Sequence, residues 1–263
     1  RAQIMDLSLT EEQAMLRNSL RSLCGDLFTS QSVRECEANP QAANPLMHQL
    51  SETGVSGLLL PEAHGGVALG MTDVVVAQAE LGRALAPAYF AETHVLGATI
   101  LSDSAIAEIA GGALREIALG APAIACAVQE ISSADELLES SVRLSRDGLL
   151  HGEKSYASFA AGVTQWLLVT AKDESGAPAL CLSRAESSGL ALTPLPNLSD
   201  SPLAHVSFAG AATQVLARGE NARRIWTLGF DRLKLAIAAQ AVGGAERILE
   251  ITTDYAKTRV QFG

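Results

Sequence analysis

Hydrophobic and polar positions follow two rhythms along the chain, helical at both ends and near-alternating in the middle. In "TEEQAMLRNSLRSLCGDLF", Leu16, Leu20, Leu23 and Leu27 recur at spacings of four, three and four, which puts them on one helical face. Thr10 stands before that face as an N-cap, with Gln13 in the capping-box position. A second helix is expected around Leu46 to Thr53, broken at Gly54 and Gly57. "GLLLPEAHGG" is a short apolar run ended by Pro61 and a Gly65–Gly66 turn. Helical periodicity returns from Thr72 through Leu85 and is stopped by Pro87. Further helices are expected over roughly Ala91 to Leu101 and Ser104 to Leu119.

At Pro122 the rhythm changes. "PAIACAVQE", "SVRLSRDGLLHGEKSYAS", "QWLLVTAKD", "PALCLSR", "LALTPL" and "AHVSFAGAATQVL" are short β-branched or alternating stretches separated by Gly, Pro, Asp and Ser. "RDG" at 146–148 and "DESG" at 173–176 are hairpin signals. Six or more strands in this span predict a small barrel or sandwich. From Asn221 the helical rhythm resumes and holds an apolar face to the end of the chain. The expected fold class is therefore α+β. Its parts are an all-α domain over 1–121, a β-domain over 122–220, and a long helix over 221–263 that opens a C-terminal helical bundle. A lone amphipathic helix cannot bury its own face, so this one needs the first domain, another chain, or further sequence to cover it.

Composition sharpens this picture. Hydrophobic residues make up 48% of the chain but aromatics only 4%, so the core is built from Ala, Leu, Val and Ile packed closely. A net charge of −10 argues against a general nucleic-acid or anionic-membrane surface, and an anionic ligand would need local arginines or helix N-termini. Cys24, Cys36, Cys126 and Cys181 show no paired spacing and read as core thiols in a reducing compartment. With no signal peptide and no apolar run of spanning length, a cytoplasmic protein is expected. His48, His64, His94, His151 and His205 have no metal spacing, and "GEKS" lacks the upstream glycine of a P-loop.

Four stretches, in order, carry a family likeness: "LLLPEAHGG" (58–66), "AELGRALAP" (79–87), "GEKSYAS" (152–158) and "AAQAVGGAERILEITTDYAKTRVQFG" (238–263). Together with the α–β–α order they make the whole chain resemble the FAD-dependent acyl-CoA dehydrogenases, the last stretch being the most specific. The resemblance implies removal of the α and β hydrogens of an acyl-CoA thioester, a base taking the proton and FAD the hydride. It also implies other subunits of the same family, as a dimer or tetramer, and an electron-transfer flavoprotein as acceptor.

Residue by residue, Arg259, Gln261 and Phe262 match the family's R-x-Q-F motif, which implies contacts across a subunit interface to the pyrophosphate and adenosine of a neighbour's FAD. A guanidinium fork suits phosphate oxygens; the plain alternative is that Arg259 complements the helix dipole. Tyr156 and Ser158 fall where the family has W-x-T or W-x-S beside the flavin ring; the alternative is an ordinary strand. "AVQEISSADE" departs from the family's L-T-E-P-x-A-G-S-D: Glu130 is kept, Gln129 replaces the threonine and Ile131 the proline. Gln129 remains a candidate for the pyrimidine edge of the flavin. No catalytic base is found. In most of the family it lies beyond the end of this sequence, and in a minority at the position of Leu233, which cannot accept a proton. Glu246 and Glu250 read as a salt-bridged, solvated face. Two functional readings follow: a dehydrogenase subunit whose C-terminal helices are absent here, or a non-catalytic partner that contributes FAD contacts to a heteromeric dehydrogenase. A monooxygenase or oxidase relative is a third.

Overall fold

The computed structural model describes residues 8–86, 89–120, 124–130, 140–159, 164–196 and 202–261, with the backbone alone at Tyr89. The first helix, α1 (Glu11–Leu27), starts as its sequence dictates: Thr10 Oγ1 accepts from the Gln13 amide, and the Gln13 side chain accepts from the Thr10 amide. Such a cap contributes about 1 kcal/mol. Leu20 and Cys24 are buried, while Leu16, Leu23 and Leu27 pack on the edge of the same core. Then follow α2 (Ser30–Ala38), capped by Thr29, and α3 (Ala43–Ser51), which stops before the left-handed Gly54. The helix α4 (Met71–Arg83) buries Val74, Ala77 and Leu81.

Next comes one helical run in three pieces: α5 (Tyr89–Ala91), a π-helical segment (Glu92–Gly97) and α6 (Ala98–Leu101). The helix expected from Ser104 begins only at Gly111 and forms α7 (Gly111–Ala118), because Ser102–Ala110 is taken up by turns in which the Asp103 carboxylate accepts the Ala105 amide.

The middle segment forms one sheet from β1 (Ile124–Ala127), β2 (Arg143–Leu144), β3 (Leu149–Ala157), β4 (Trp166–Asp173), β5 (Pro178–Arg184), β6 (Leu190–Leu195), β7 (Leu203–Ala212) and β8 (Gln214–Arg218). The order is β6-β7-β3-β2-β4-β5-β8. Strands β1 and β2 share one edge of β4, both parallel to it, at its start and its end. The two expected hairpins join β2 to β3 and β4 to β5, with Gly148 and Gly176 at the positive φ that such turns require. Along β4 the pleat sends alternate residues to two cores. Leu167, Val169 and Ala171 pack with Leu150, Val206 and Phe208 inside the curl of the sheet. Trp166 and Leu168 join the helical core.

The chain returns to the helices through α8 (Gly219–Thr258), 40 residues and about 60 Å long. Its buried positions are Ala222, Ile225, Trp226, Gly229, Leu233, Ala236, Ala239 and Gly243, one narrow stripe of mostly small residues. Small size is needed where α4 crosses: a Cβ added to Gly82 would overlap Gln240 backbone, and one added to Gly243 would overlap the Ala79 carbonyl. Polar contacts hold the crossing, with Gln240 Nε2 donating to Gln78 Oε1 at 2.7 Å and the Arg83 guanidinium pairing with Glu250. Beyond Gly244 every described residue of α8 is exposed, including Ile248, Leu249, Ile251 and Tyr255.

Candidate functional site

The site expected from sequence lies where β1 and β3 meet the π-helical segment. One edge of β1 is occupied by β4, and the amides on its other edge are met by helix side chains: Ile124 N donates to Thr93 Oγ1 at 2.9 Å and Cys126 N to Glu92 Oε2 at 3.3 Å. The approach is close, since a Cβ on Gly97 would lie 2.9 Å from Ile124 Cδ1. Past Ala127 the same edge turns to β3, whose Ser155 amide donates to the Gln129 carbonyl at 2.7 Å. Ser158, just past the end of β3, donates from Oγ to Glu92 Oε1 at 2.7 Å. The structure thus brings Gln129, Tyr156 and Ser158 to one junction and adds Glu92 to them.

A buried lysine fixes this corner. Lys154 is 1% exposed, and its Nζ donates to Glu130 Oε1 (2.6 Å), Ser140 Oγ (2.8 Å), the Val128 carbonyl (3.1 Å) and Thr170 Oγ1 (3.2 Å). Burial pushes the Glu130 carboxyl up, but hydrogen bonds from Lys154, Ser141 and Ser140 outweigh it and bring the group to about 2. Burial also draws Lys154 below its ordinary value, with Glu130 offsetting part of that. Two residues on, β3 is bulged between Lys154 and Ala157, and Tyr156 takes φ +57°, left-handed for a bulky residue, with 48% of its surface exposed. That conformation costs on the order of 1–3 kcal/mol and persists only where its surroundings enforce it.

The π-helical segment carries two titratable groups with opposite shifts. Burial pushes the Glu92 carboxyl up to about 7, although Ser158 and the Cys126 amide hold it down in part. Burial drives His94 down to about 4, and its Nδ1 lies 3.2 Å from the Ser56 carbonyl, so the neutral imidazole donates there. The Cys126 thiol, against Glu92, is raised well above its ordinary value by burial and is inert as a thiolate.

Arg259 and Gln261 lie elsewhere. The Arg259 amide donates to the Tyr255 carbonyl at 2.9 Å as the end of α8, its guanidinium sits 5.4 Å from the Tyr255 ring centre, and the Gln261 amide oxygen accepts from it. Both are exposed, and about 39 Å of helix axis separates Arg259 from Leu233. Among the described residues no hydrogen bond or ion pair joins them to Gln129, Tyr156 or Ser158. Phe262 and Ile131 fall outside the described residues. Leu233 is buried in the helical core, and Glu250 is held by Arg83 and Arg247 as a salt-bridged face. No cluster of His, Cys, Asp or Glu among the described residues could hold a metal ion, and no described helix is long and apolar enough to cross a membrane. Glu92 was missed from sequence although it left a signal: a lone carboxylate inside the apolar run "YFAETHVLGATIL".

Comparison with known proteins places this geometry. The family described as acyl-CoA dehydrogenase, N-terminal domain, matches residues 10–121. Over 98% of its length the chain is 25% identical to the probable acyl-CoA dehydrogenase YdiO of Escherichia coli, covering 71% of that protein. Over 96% it is 27% identical to the acyl-CoA dehydrogenase IpdE2 of Mycobacterium tuberculosis, covering 66%. Among solved structures it matches the ChsE4–ChsE5 complex of Mycobacterium tuberculosis with a TM-score of 0.84 and 25% identity, over 98% of this chain and 70% of that one. The family model covers the helical domain, the relatives and the solved structure match along nearly the whole chain, and from its first helix through α8 the chain is similar to acyl-CoA dehydrogenases.

Proposed function

We propose that the chain is a subunit of an FAD-dependent dehydrogenase that converts an acyl-CoA thioester to its 2,3-enoyl-CoA. The observation that carries the reading is the pinned corner where Gln129, Tyr156 and Ser158 meet beside Glu92. Its groups fit an isoalloxazine ring: a hydroxyl, an exposed aromatic face held at a strained φ, and a side-chain amide. FAD, when bound, supplies a hydride acceptor that no side chain can provide. The chain's own part is to bind, orient and exclude water. The Lys154–Glu130 pair ties the chain just after β1 to β3 so that these groups stay where they are.

Arg259 and Gln261 offer a guanidinium fork and an amide suited to a pyrophosphate. Standing exposed and far along α8, they suit the FAD of a neighbouring subunit better than this chain's own, which supports a dimer or tetramer. An electron-transfer flavoprotein as acceptor follows by family likeness. The α-proton needs an acceptor within hydrogen-bond reach, and Leu233 cannot serve, so the base comes from beyond the described residues. That same leucine favours a second reading, a non-catalytic partner that lends FAD contacts to a heteromeric dehydrogenase.

The test is the visible spectrum of the purified protein during anaerobic titration with a panel of acyl-CoAs. Flavin bands bleached by one ligand support the dehydrogenase. Bound flavin that no acyl-CoA reduces favours the partner subunit, and a protein that takes up no FAD refutes both.

A further inference from the structure

We propose that Glu92 is a positioning residue that sets which way the Ser158 hydroxyl offers its proton to the flavin, an inference that rests on the flavin reading above. A serine hydroxyl has one hydrogen and two lone pairs. In the structure the hydrogen goes to Glu92 Oε1 at 2.7 Å, and a carboxylate can only accept it. With Glu92 ionised, Ser158 therefore presents only lone pairs to any other partner. With Glu92 neutral, its own O–H donates to Ser158 Oγ, and the serine hydrogen is released for a flavin acceptor. The bond stays in place and its polarity reverses.

Three further observations place Glu92 in that role. It lies in the π-helical segment, a helix irregularity that recurs at functional sites. Its second oxygen is held by the Cys126 amide, which keeps the carboxyl aimed at Ser158. Part of its surface remains accessible, so the group can exchange a proton. Its surroundings leave it free to titrate near neutrality. Across on β1 the titratable neighbour is the Cys126 thiol, which stays neutral. On its own segment His94 turns to the Ser56 carbonyl. Of the α8 cations, Arg224 pairs with Asp103 and Arg232 donates to Thr99, and no cation is among the groups that shift Glu92. On the described part of β3, Lys154 is committed to Glu130.

A purely structural role, capping the open edge of β1, would be met equally well by glutamine, which accepts through Oε1 but does not titrate. The experiment uses that difference. The Glu92 carboxyl is titrated by carbon-13 NMR in the flavin-free protein, and the spectrum and midpoint potential of bound FAD are followed from pH 5 to 9, in wild type, Glu92→Gln and Ser158→Ala. The expected result has two parts. The carboxyl pKa rises in Ser158→Ala, because its donor is lost. The bound flavin of the wild type shows a pH step, centred where the loaded carboxyl titrates, that disappears in Glu92→Gln, while Ser158→Ala is read by the carboxyl pKa alone. A step unchanged in Glu92→Gln, or no step in wild-type protein that has taken up FAD, overturns this inference alone. Failure to take up FAD overturns the flavin reading and this inference together, while the NMR arm still reports whether the Glu92–Ser158 bond exists.

Discussion

Glu92 and His94, two residues apart on the π-helical segment, make opposing contributions to how stability depends on pH. Glu92 sits at about 7 when folded against an ordinary 4.5, so the folded state holds its proton more tightly than the unfolded chain does. Stability from this group is fully present below pH 4.5 and is lost as pH rises to 7, a change of about 3.4 kcal/mol. His94 sits at about 4 against 6.5, so it is the unfolded chain that binds the proton first. Its penalty is absent above pH 6.5 and grows to a similar size, about 3.4 kcal/mol, as pH falls to 4. Between 4.5 and 6.5 the two slopes oppose each other at about 1.4 kcal/mol per pH unit each, and their sum is close to flat. Glu130 and Glu250, both drawn from 4.5 to about 2, add slope only at the acid edge of this window. The perturbation is Glu92→Gln, which removes one slope and leaves the other. Urea unfolding of the flavin-free protein at fixed ionic strength should then show stability rising by about 2.7 kcal/mol across the window. His94→Gln, which keeps a donor for the Ser56 carbonyl, should show the opposite trend. A Glu92→Gln profile as flat as that of wild type refutes the raised carboxyl.

Four other outcomes follow from the geometry. Lys154→Met leaves Glu130 without its buried cation and should cost about 3–5 kcal/mol in urea unfolding; the double variant with Glu130→Gln should recover part of that, and an additive double variant would refute the pairing. Gly243→Ala puts a methyl into the Ala79 carbonyl and should lower stability by about 1–3 kcal/mol in a thermal melt, whereas the same change at the uncrowded Gly112 of α7 should be near neutral or slightly stabilising. Tyr156→Gly relieves the left-handed φ and should raise stability by about 1 kcal/mol while weakening FAD retention, and a fall in stability would show that the conformation is not strained. Arg259→Ala should lower flavin content after gel filtration with an unchanged melting temperature in the flavin-free state, and equal flavin in both proteins would sink the assignment of that loop.

Elements whose signals are local were legible in the sequence. The Thr10–Gln13 box fixes the start of α1 within four residues, and the two hairpins depend on glycines at positions where only the turn matters. What escaped depends on partners far along the chain. The π-helical segment is spelled like any apolar helix, and its function as an edge for β1 involves contacts more than thirty residues away, from Thr93 to Ile124 and from Glu92 to Ser158. Lys154 stands in "GEKS", yet its burial is set by Glu130, Ser140 and Thr170 on three other pieces of chain. The late start of α7 reflects an Asp103 turn that competes with helix, a conflict propensity alone does not resolve. Of the candidate site, the residues on β3 were visible because a motif marks them, whereas Glu92 has no motif.

The crossing of α4 and α8 also has a temporal side. Gln78 meets Gln240 and Arg83 meets Glu250, pairs separated by 162 and 167 residues of chain. At about 5–20 residues per second of synthesis, α4 leaves the ribosome roughly 8–30 seconds before the helix that covers it. Its close-approach face, around Ala79 and Gly82, waits bare through all of that time, while the sheet is made in between. Completing the first domain therefore falls to the last segment of the described chain, and a nascent chain released before α8 would carry an unfinished helical core into solution.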